Sequence, residues 1–211
     1  MKISHYEVER LPIAVIDNFF NEDEYNQIFN EIDFLFPKYK VKDSKYSGAA
    51  KSSETGESLS KANNLWLDHV YSDRECSDIL NVNRKCWTIY KDEKRTKIDW
   101  FKELTETHKW FDFMRNINTD TTLLSYYEDS DHYHAHIDSA LITIITWMYK
   151  EEKEFEGGDL IFSDDVQIEC MNNRTVFFPS ILEHEVSEIK MLSDKPGYGR
   201  HAMVQFGAIK L

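Results

Sequence analysis

The first 120 residues combine one apolar strand pattern with several stretches of helical spacing. Residues 12–17 form an apolar, β-branched run that predicts a strand, and Asn21 shortly after it is a good helix N-cap. Apolar residues then recur near the helical period until Pro37, behind a first turn that is acidic, as the helix dipole favours. Two further helical patterns cover residues 73–92 and 97–117. These patterns predict an N-terminal part built largely from helices.

Residues 41–64 show no apolar period and are rich in Ser, Lys, Gly and Glu. This composition is typical of a loop. A loop of this length inside a compact domain is more often functional than accidental. We therefore expect a mobile loop, and the sequence leaves open whether it is a lid over a substrate or an insertion.

The pattern changes at Thr121, where short β-branched or aromatic runs alternate with turn residues. Such runs occupy residues 122–127, 133–138, 141–149, 159–162, 166–170, 175–178, 185–189 and 201–211. So many short strands favour a double-sheet or closed β architecture such as a jelly roll. The predicted fold class is mainly β with packed helices. We expect one domain over residues 1–211, with residues 1–120 as helical support and residues 121–211 as the jelly-roll core.

The charge of the chain narrows the classes of partner. Its 25 Lys and Arg face 38 Asp and Glu, which gives a net charge of -13. This excess of acid opposes binding to nucleic acid or to an anionic membrane surface, so neither is predicted as a partner. The sequence contains no secretory leader pattern and no apolar run long enough to cross a bilayer, which predicts a soluble, cytoplasmic protein. Cys76, Cys86 and Cys170 lack paired spacing and are expected to be reduced structural thiols.

The main candidate for chemistry is an H-x-D motif in a predicted strand. His136 and Asp138 are two residues apart, so their side chains would lie side by side on one face. Together with a histidine from a distant strand, for which His184 is the best candidate, they would form a facial set of two His and one carboxylate. Such a set leaves positions on Fe(II) open. His132 and His134 fall on the same predicted face as His136, so a shifted choice of ligands stays open, although only His136 has an Asp two residues later.

The order of further motifs resembles a known family, the 2-oxoglutarate- and Fe(II)-dependent oxygenases of the prolyl 4-hydroxylase-like type. The matching features are Tyr127 and Tyr133, the H-x-D motif, the threonine strand at residues 143–148, the double glycine at residues 157–162, His184, and Arg200 at the start of the last strand. The opening strand and helix also match, so the resemblance covers most of the chain. One departure is Ser130, which stands where the family has glycine.

The resemblance implies a double-stranded β-helix core, bound Fe(II) and 2-oxoglutarate as co-substrate, with ascorbate as a candidate reductant. Arg200 would bind the far carboxylate of 2-oxoglutarate, a geometry that suits the guanidinium fork. Because the segment between His184 and Arg200 is a longer predicted hairpin than usual, Lys190 and Lys195 remain alternative anchors. The implied metal ligands are His136, Asp138 and His184, and the implied co-substrate residues are Arg200, Tyr127, Thr143 and Tyr133.

By the same resemblance the activity would be a dioxygenase reaction that consumes O2, hydroxylates a substrate and releases succinate and CO2. The substrate would be a peptidyl side chain, as in prolyl hydroxylases, or a small amino-acid-like molecule. The competing hypothesis is a non-enzymatic, cupin-like metal-binding or sensor module, which would lack a co-substrate pocket. The sequence leaves the substrate and the oligomeric state open.

Overall fold

The computed structural model describes residues 1–38, 48–87, 99–163 and 166–210. Its largest element is a seven-stranded antiparallel sheet with the strand order β1-β2-β10-β6-β13-β4-β3. These strands are β1 (Lys2–Val8), β2 (Leu11–Asp17), β3 (Asn63–Trp66), β4 (Thr119–Tyr127), β6 (Ile142–Met148), β10 (Thr175–Pro179) and β13 (Arg200–Ala208). We call this the major sheet.

A smaller sheet, the minor sheet, has the strand order β5-β11-β8-β9. Its members are β5 (Tyr133–His136), β8 (Leu160–Phe162), β9 (Gln167–Ile168) and β11 (His184–Val186). A separate pair joins β7 (Phe155–Glu156) to β12 (Lys190–Met191). The segment after β11 is therefore not the simple hairpin that the sequence predicted, since β12 pairs with a strand outside it.

The helices come from the N-terminal part of the chain. They are α1 (Glu22–Leu35), α2 (Leu67–Val70), α3 (Asp78–Trp87) and α4 (Asp99–Thr107), with 3-10 turns at Phe36–Lys38, Arg74–Cys76 and Lys109–Asn116. Helix α1 begins as predicted, because Asn21 and Glu24 form a reciprocal capping box. Among the described residues, no helix is long and apolar enough to cross a membrane.

Glu31 connects two of the helices. It projects from α1, is largely buried, and accepts hydrogen bonds from Ser77 Oγ at 2.8 Å and from the backbone N–H of Ile79 at 2.8 Å. The bond from Ile79 supplies an acceptor for a backbone N–H in the first turn of α3, because the N–H groups of a first turn have no acceptor within the helix. The carboxylate also lies where the dipole of α3 is positive. Glu31 thus joins the start of α3 to α1.

The core has two parts, one on each face of the major sheet. Alternate strand residues such as Leu124, Ile144 and Met203 pack against the helices, while their neighbours Ile145 and Ala202 face the minor sheet. This period of two is the pattern of a sheet buried on both faces. The resulting pair of packed sheets with helices on one outer face agrees with the predicted mainly β fold.

Two parts of the prediction need correction. The N-terminal part is not only helical support, because β1, β2 and β3 belong to the major sheet. The predicted loop at residues 41–64 ends earlier, since Asn63 and Asn64 begin β3. Its residues 41–47 lie outside the described part of the chain, as do residues 88–92 and 97–98 of the predicted helical stretches.

Candidate active site

The structure brings the three predicted metal ligands together at one end of the minor sheet. His136 ends β5, Asp138 follows it, and His184 begins β11 directly opposite His136 in the antiparallel register. The Nε2 atoms of His136 and His184 each lie 3.5 Å from a carboxylate oxygen of Asp138. One ligand atom from each residue falls within 4.8 Å of the others. This donor set of two imidazoles and one carboxylate fits a facial Fe(II) site.

Both histidines are held in the tautomer that a metal requires. His136 Nδ1 lies 2.9 Å from the carbonyl oxygen of His134, and His184 Nδ1 lies 2.9 Å from that of Leu182. A carbonyl can only accept, so each Nδ1 carries the proton and each Nε2 presents its lone pair. Burial lowers the pKa of His184 to about 4, which keeps this imidazole neutral at neutral pH.

Asp138 is oriented by its surroundings. Thr143 Oγ1 donates to its Oδ2 at 2.7 Å, and the Asp138 backbone N–H donates to the carbonyl of Ser180 at 3.1 Å. Burial raises the pKa of Asp138, but His136, His184 and the Thr143 hydroxyl outweigh it and leave the pKa below its usual value. The carboxylate is therefore ionised and ready to bind a cation.

Thr143 has a different position from the one that the resemblance implied. It is fully buried and does not line the cavity beside the cluster. Its hydroxyl instead lies between Asp138 and Ser180 Oγ, at 2.7 and 2.8 Å. The structure thus places Thr143 behind a metal ligand, where it orients the carboxylate, and not against a co-substrate.

The expectation that His132 and His134 share a face with His136 is wrong. The pairs His184–His136 and Val186–Tyr133 leave one extra residue on β5, which is a β-bulge. The bulge turns both Tyr133 and His136 toward the cavity and leaves the half-buried His132 and the exposed His134 outside it. The alternative choice of metal ligands is therefore disfavoured.

A cavity of about 250 Å³ lies between the two sheets and contains the cluster in its wall. From the major sheet it is lined by alternate residues of β3, β4 and β13, all facing inward. These are Asn64, Trp66, Thr121, Leu123, Ser125, Tyr127, Arg200, Ala202, Val204 and Phe206. The cavity runs along the sheet from a cationic end at Arg200 to an aromatic end at Trp66 and Phe206, whose rings lie 5.7 Å apart.

Arg200 is the buried cation of this cavity. Its side chain is 1% exposed, and its three guanidinium nitrogens have no hydrogen-bond partner among the described residues. The guanidinium lies over the ring of Tyr127 at 4.7 Å and near the ring of Trp147 at 5.6 Å. A buried charge without a partner is costly, so an anionic group from outside the chain would satisfy it. A carboxylate of 2-oxoglutarate fits this requirement.

The two alternative anchors are placed elsewhere. Lys190 is 73% exposed and pairs with Glu156 across β12 and β7, and Lys195 is 55% exposed and pairs with Glu154. Neither lysine lines the cavity. Of the three candidates, the geometry favours Arg200.

Two glycines shape the wall behind Arg200. Gly157 and Gly158 both have positive φ angles, 76° and 77°. A Cβ on Gly158 would lie 2.6 Å from Cδ of Arg200, and a Cβ on Gly157 would lie 2.1 Å from the carbonyl oxygen of Glu188. Both positions therefore require glycine, for backbone conformation as well as for space.

The two tyrosines take separate positions in the cavity. Tyr127 is buried beside Arg200, and burial raises its pKa although the guanidinium charge partly offsets this. Tyr133 stacks on His136, with ring centroids 3.6 Å apart and planes within 10°. The Tyr133 hydroxyl accepts a hydrogen bond of 2.8 Å from the backbone N–H of Ala50. Tyr133 thus connects the metal cluster to residues 48–50, which also line the cavity.

The sequence interpretation missed the residues at the far end of the cavity. Trp66 lies on β3, of which only Asn63 and Asn64 fall in the predicted loop, and Phe206 lies in a predicted strand to which the sequence assigns no role there. The signal for Phe206 was present, because Arg200 and Phe206 are separated by an even number of residues on one strand. The pair formed by Asn64 and Ser125, 2.6 Å apart, gave no such signal because β3 was not predicted.

Comparison with known proteins agrees with the geometry. The family model of the 2-oxoglutarate–Fe(II) oxygenase superfamily matches residues 122–205, the part of the chain that holds the cluster and Arg200. Residues 122–205 thus resemble oxygenases of the 2-oxoglutarate- and Fe(II)-dependent class, and this class implies Fe(II) and 2-oxoglutarate. This likeness favours an oxygenase over the competing hypothesis of a non-enzymatic metal-binding module.

Solved structures of similar fold include prolyl 4-hydroxylases. A prolyl 4-hydroxylase from Pseudomonas putida is 12% identical, with 94% of this chain and 93% of that chain covered and a TM-score of 0.52. A viral collagen prolyl hydroxylase from Paramecium bursaria Chlorella virus 1, solved with 2-oxoglutarate, is 14% identical, with 93% and 96% covered and a TM-score of 0.50. An oxidoreductase of the 2-oxoglutarate–Fe(II) oxygenase family from Burkholderia pseudomallei is 13% identical, with 93% and 84% covered and a TM-score of 0.53.

These likenesses confirm the predicted double-stranded β-helix fold. No curated protein matches the chain by sequence.

Proposed function

We propose that this chain hydroxylates an uncharged side chain within a peptide, with His136, Asp138 and His184 binding Fe(II) and Arg200 binding 2-oxoglutarate. A small amino-acid-like substrate is the second choice. The observation that supports the proposal most directly is the buried guanidinium of Arg200 without a partner, in the same cavity as the His–Asp–His cluster. Iron and 2-oxoglutarate, when bound, supply the activation of O2, with release of succinate and CO2.

The remaining chemistry belongs to the side chains of the cavity. Arg200 would donate two parallel hydrogen bonds to the far carboxylate of the co-substrate, and Tyr127 lies beside that position. Thr143 holds the Asp138 carboxylate, and the carbonyls of His134 and Leu182 hold the protons on Nδ1 of both histidines. These contacts fix the donor atoms before any ligand binds, which reduces the ordering that binding requires.

The aromatic end of the cavity supports an apolar substrate. Trp66 and Phe206, together with Leu123 and Val204, form an apolar wall beyond the cluster. Apolar side chains exclude water from a reacting centre and bind a ring or an aliphatic group by burial. This wall is the reason for preferring an uncharged peptidyl side chain, such as proline, as the substrate group.

The proposal is tested by anaerobic titration of the Fe(II)-loaded protein with 2-oxoglutarate, watching the weak visible charge-transfer band of the chelated oxo acid. Arg200→Gln should raise the Kd for 2-oxoglutarate by about 10- to 100-fold, since a hydrogen-bonded charged group contributes about 1.5–3 kcal/mol. Arg200→Lys keeps the charge and should lose less. Lys190→Gln and Lys195→Gln are the matched controls and should leave the Kd unchanged.

His136→Ala should abolish the band, because it removes a metal ligand. Succinate formation in air would then be measured with blocked proline peptides, with blocked lysine peptides and with free proline, each with and without ascorbate. Stimulation by the blocked proline peptide alone supports the preferred substrate class, and stimulation by free proline alone favours the second choice. A band that survives in His136→Ala, or an unchanged Kd in Arg200→Gln, would contradict the assignment of the site.

Two further parts of the proposal rest on the sequence. We propose that residues 1–211 act as one oxygenase domain and that the protein works in the cytoplasm. Limited proteolysis, which should release no stable fragment, and cell fractionation test these points.

A further inference from the structure

Two histidines at the start of β5, the half-buried His132 and the exposed His134, lie away from the cavity. His132 Nε2 and His134 Nε2 are 2.9 Å apart, and the ring centroids are 4.2 Å apart. His134 is exposed, His132 is half-buried, and neither lines the cavity that holds the His–Asp–His cluster. The pair therefore has no part in the proposed oxygenase site.

His132 is prepared to bind a metal in the same way as the proposed iron ligands. Its Nδ1 lies 3.2 Å from the carbonyl oxygen of Ser130, two residues earlier. His136 and His184 make the corresponding contact to carbonyls two residues earlier, at 2.9 Å each. Since the carbonyl accepts, Nδ1 of His132 carries the proton and its Nε2 presents a lone pair. Among the described residues, the one hydrogen-bond partner of His132 Nε2 is His134.

The separation of the two nitrogens suits a shared metal ion. Two nitrogen atoms bound at about 2.0–2.1 Å, at a right angle, lie about 2.9 Å apart. The observed distance between the Nε2 atoms of His132 and His134 is 2.9 Å. Without a metal, the same distance is a hydrogen bond in which His134 donates to His132. A metal ion can thus replace the shared proton at the same separation of the two nitrogens, with the rings turned so that both lone pairs point at the ion.

Hydrogen bonds to residues 59–61 hold the backbone of the histidine pair. The N–H of Lys61 donates to the carbonyl of His132 at 3.0 Å, and the N–H of His134 donates to the carbonyl of Leu59 at 3.0 Å. Ser60 forms a β-bridge with Tyr133, the residue between the two histidines. Binding of a metal would therefore order little that is not already ordered, which favours affinity.

We infer that His132 and His134 form a second metal site that binds a borderline divalent transition metal such as Cu²⁺, Ni²⁺ or Zn²⁺. Imidazole nitrogens suit these ions, whereas Mg²⁺ and Ca²⁺ prefer oxygen ligands. Two ligands come from the chain and water fills the other positions. Among the described residues the only cluster of three or more such groups is the His–Asp–His cluster, so the pair is a weaker and separate site. Because β5 also carries His136, an ion at the pair would stiffen the strand that holds a proposed iron ligand.

The test is calorimetric titration of the metal-free protein with Ni²⁺, which needs no activity and no 2-oxoglutarate. Wild type should bind two ions per chain, a tighter one at the His–Asp–His cluster and a weaker one at the pair. His132→Gln and His134→Gln should each weaken the second event at least tenfold, and the double variant should bind one ion. His69→Gln, which changes another exposed histidine, is the matched control and should still bind two.

Copper supplies a spectroscopic test of the same site. The Asp138→Ala/His184→Ala variant should bind one Cu²⁺ with an electron paramagnetic resonance spectrum of nitrogen ligation, and the signal should disappear when His132 and His134 are also changed to Gln. One Ni²⁺ per chain in the wild type, or a second ion that persists in the double variant, would overturn the inference. Loss of the first ion alone would count against the oxygenase site and not against this one.

Discussion

At the scale of single residues, two adjacent residues of β13 are buried, one as a charged group and the other as a neutral group. Arg200 faces the cavity with its charge, and His201 faces the helices among aromatic rings, with the ring of Tyr126 at 4.6 Å and those of Phe29 and Phe36 at 6.2 Å. Burial lowers the pKa of His201 to about 3. The alternation of the strand thus places one group that is always charged and one that stays neutral side by side in sequence.

This burial predicts a specific loss of stability in acid. In the unfolded chain His201 would take up a proton near pH 6.5, but in the folded chain only near pH 3, so the unfolded state binds more protons between these values. The free energy of unfolding should therefore fall as the pH falls from about 6.5 to about 3, by about 1.4 kcal/mol per pH unit for this group. His201→Phe should remove that part of the slope, measured by urea unfolding between pH 7 and pH 4.5.

The exposed His69 provides the comparison for this prediction. His69→Gln should keep the wild-type dependence of unfolding free energy on pH. Equal slopes for His201→Phe and wild type would show that His201 is protonated in the folded protein, contrary to its burial.

At the scale of elements, the attachment of α3 to α1 depends on Glu31. Glu31→Ala removes the acceptor for the Ser77 hydroxyl and for the Ile79 amide, and both donors are buried. We expect a loss of about 1.5–3 kcal/mol, as for other hydrogen bonds to charged groups. For a chain of 211 residues this lowers Tm by roughly 4–10 °C, measurable by circular dichroism.

Glu22→Gln, an exposed change on the same helix, should leave Tm within about 2 °C, given the small effect of most surface substitutions. A similar Tm for both variants would remove Glu31 from this role.

The elements differ in how well the sequence predicts them. Helix α1 was predictable because its cap, its acidic first turn and its apolar face all agree. Strand β3 was not, because Asn63 and Asn64 disfavour strands and only pairing with β4 makes them one. The bulge in β5 was not predictable either, because it arises from the register against β11. It places His132 and His134 on a different face from the one that the strand pattern predicts.

The sequence predicts some residues of the candidate site and not others. The three proposed ligands and Arg200 follow from residue types in a fixed order along the chain. The contact of Thr143 with Asp138 does not, because it depends on how the turn after β5 folds back on β6. Trp66 joins the cavity only through the pairing of β3 with β4, a contact between residues far apart in sequence.

At the scale of the whole molecule, the cavity joins the two sheets. The proposed metal ligands belong to or follow strands of the minor sheet, whereas Arg200 and Tyr127 belong to the paired strands β13 and β4 of the major sheet. A co-substrate that contacts the metal and Arg200 together would connect the sheets across the cavity. Its binding should therefore stabilise the fold as a unit.

Ligand binding should raise the thermal stability in two separable steps. At a 2-oxoglutarate concentration of about 100 times Kd, the folded state gains about 2.7 kcal/mol. This corresponds to an increase in Tm of roughly 5–10 °C for a chain of this length. In anaerobic thermal scans, Arg200→Gln should keep the increase caused by Fe(II) and lose the one caused by 2-oxoglutarate, and His136→Ala should lose both. An undiminished response of Arg200→Gln to 2-oxoglutarate would mean that the co-substrate binds elsewhere.

The two glycines behind Arg200 also limit how this protein can evolve. Gly157 is fixed by the main-chain carbonyl of Glu188, which no substitution elsewhere can delete, and Gly158 is fixed by the Arg200 side chain itself. A single substitution at either position strains the backbone, because both glycines have positive φ angles. A descendant with a different residue at either position would have to inherit a rebuilt turn along with it.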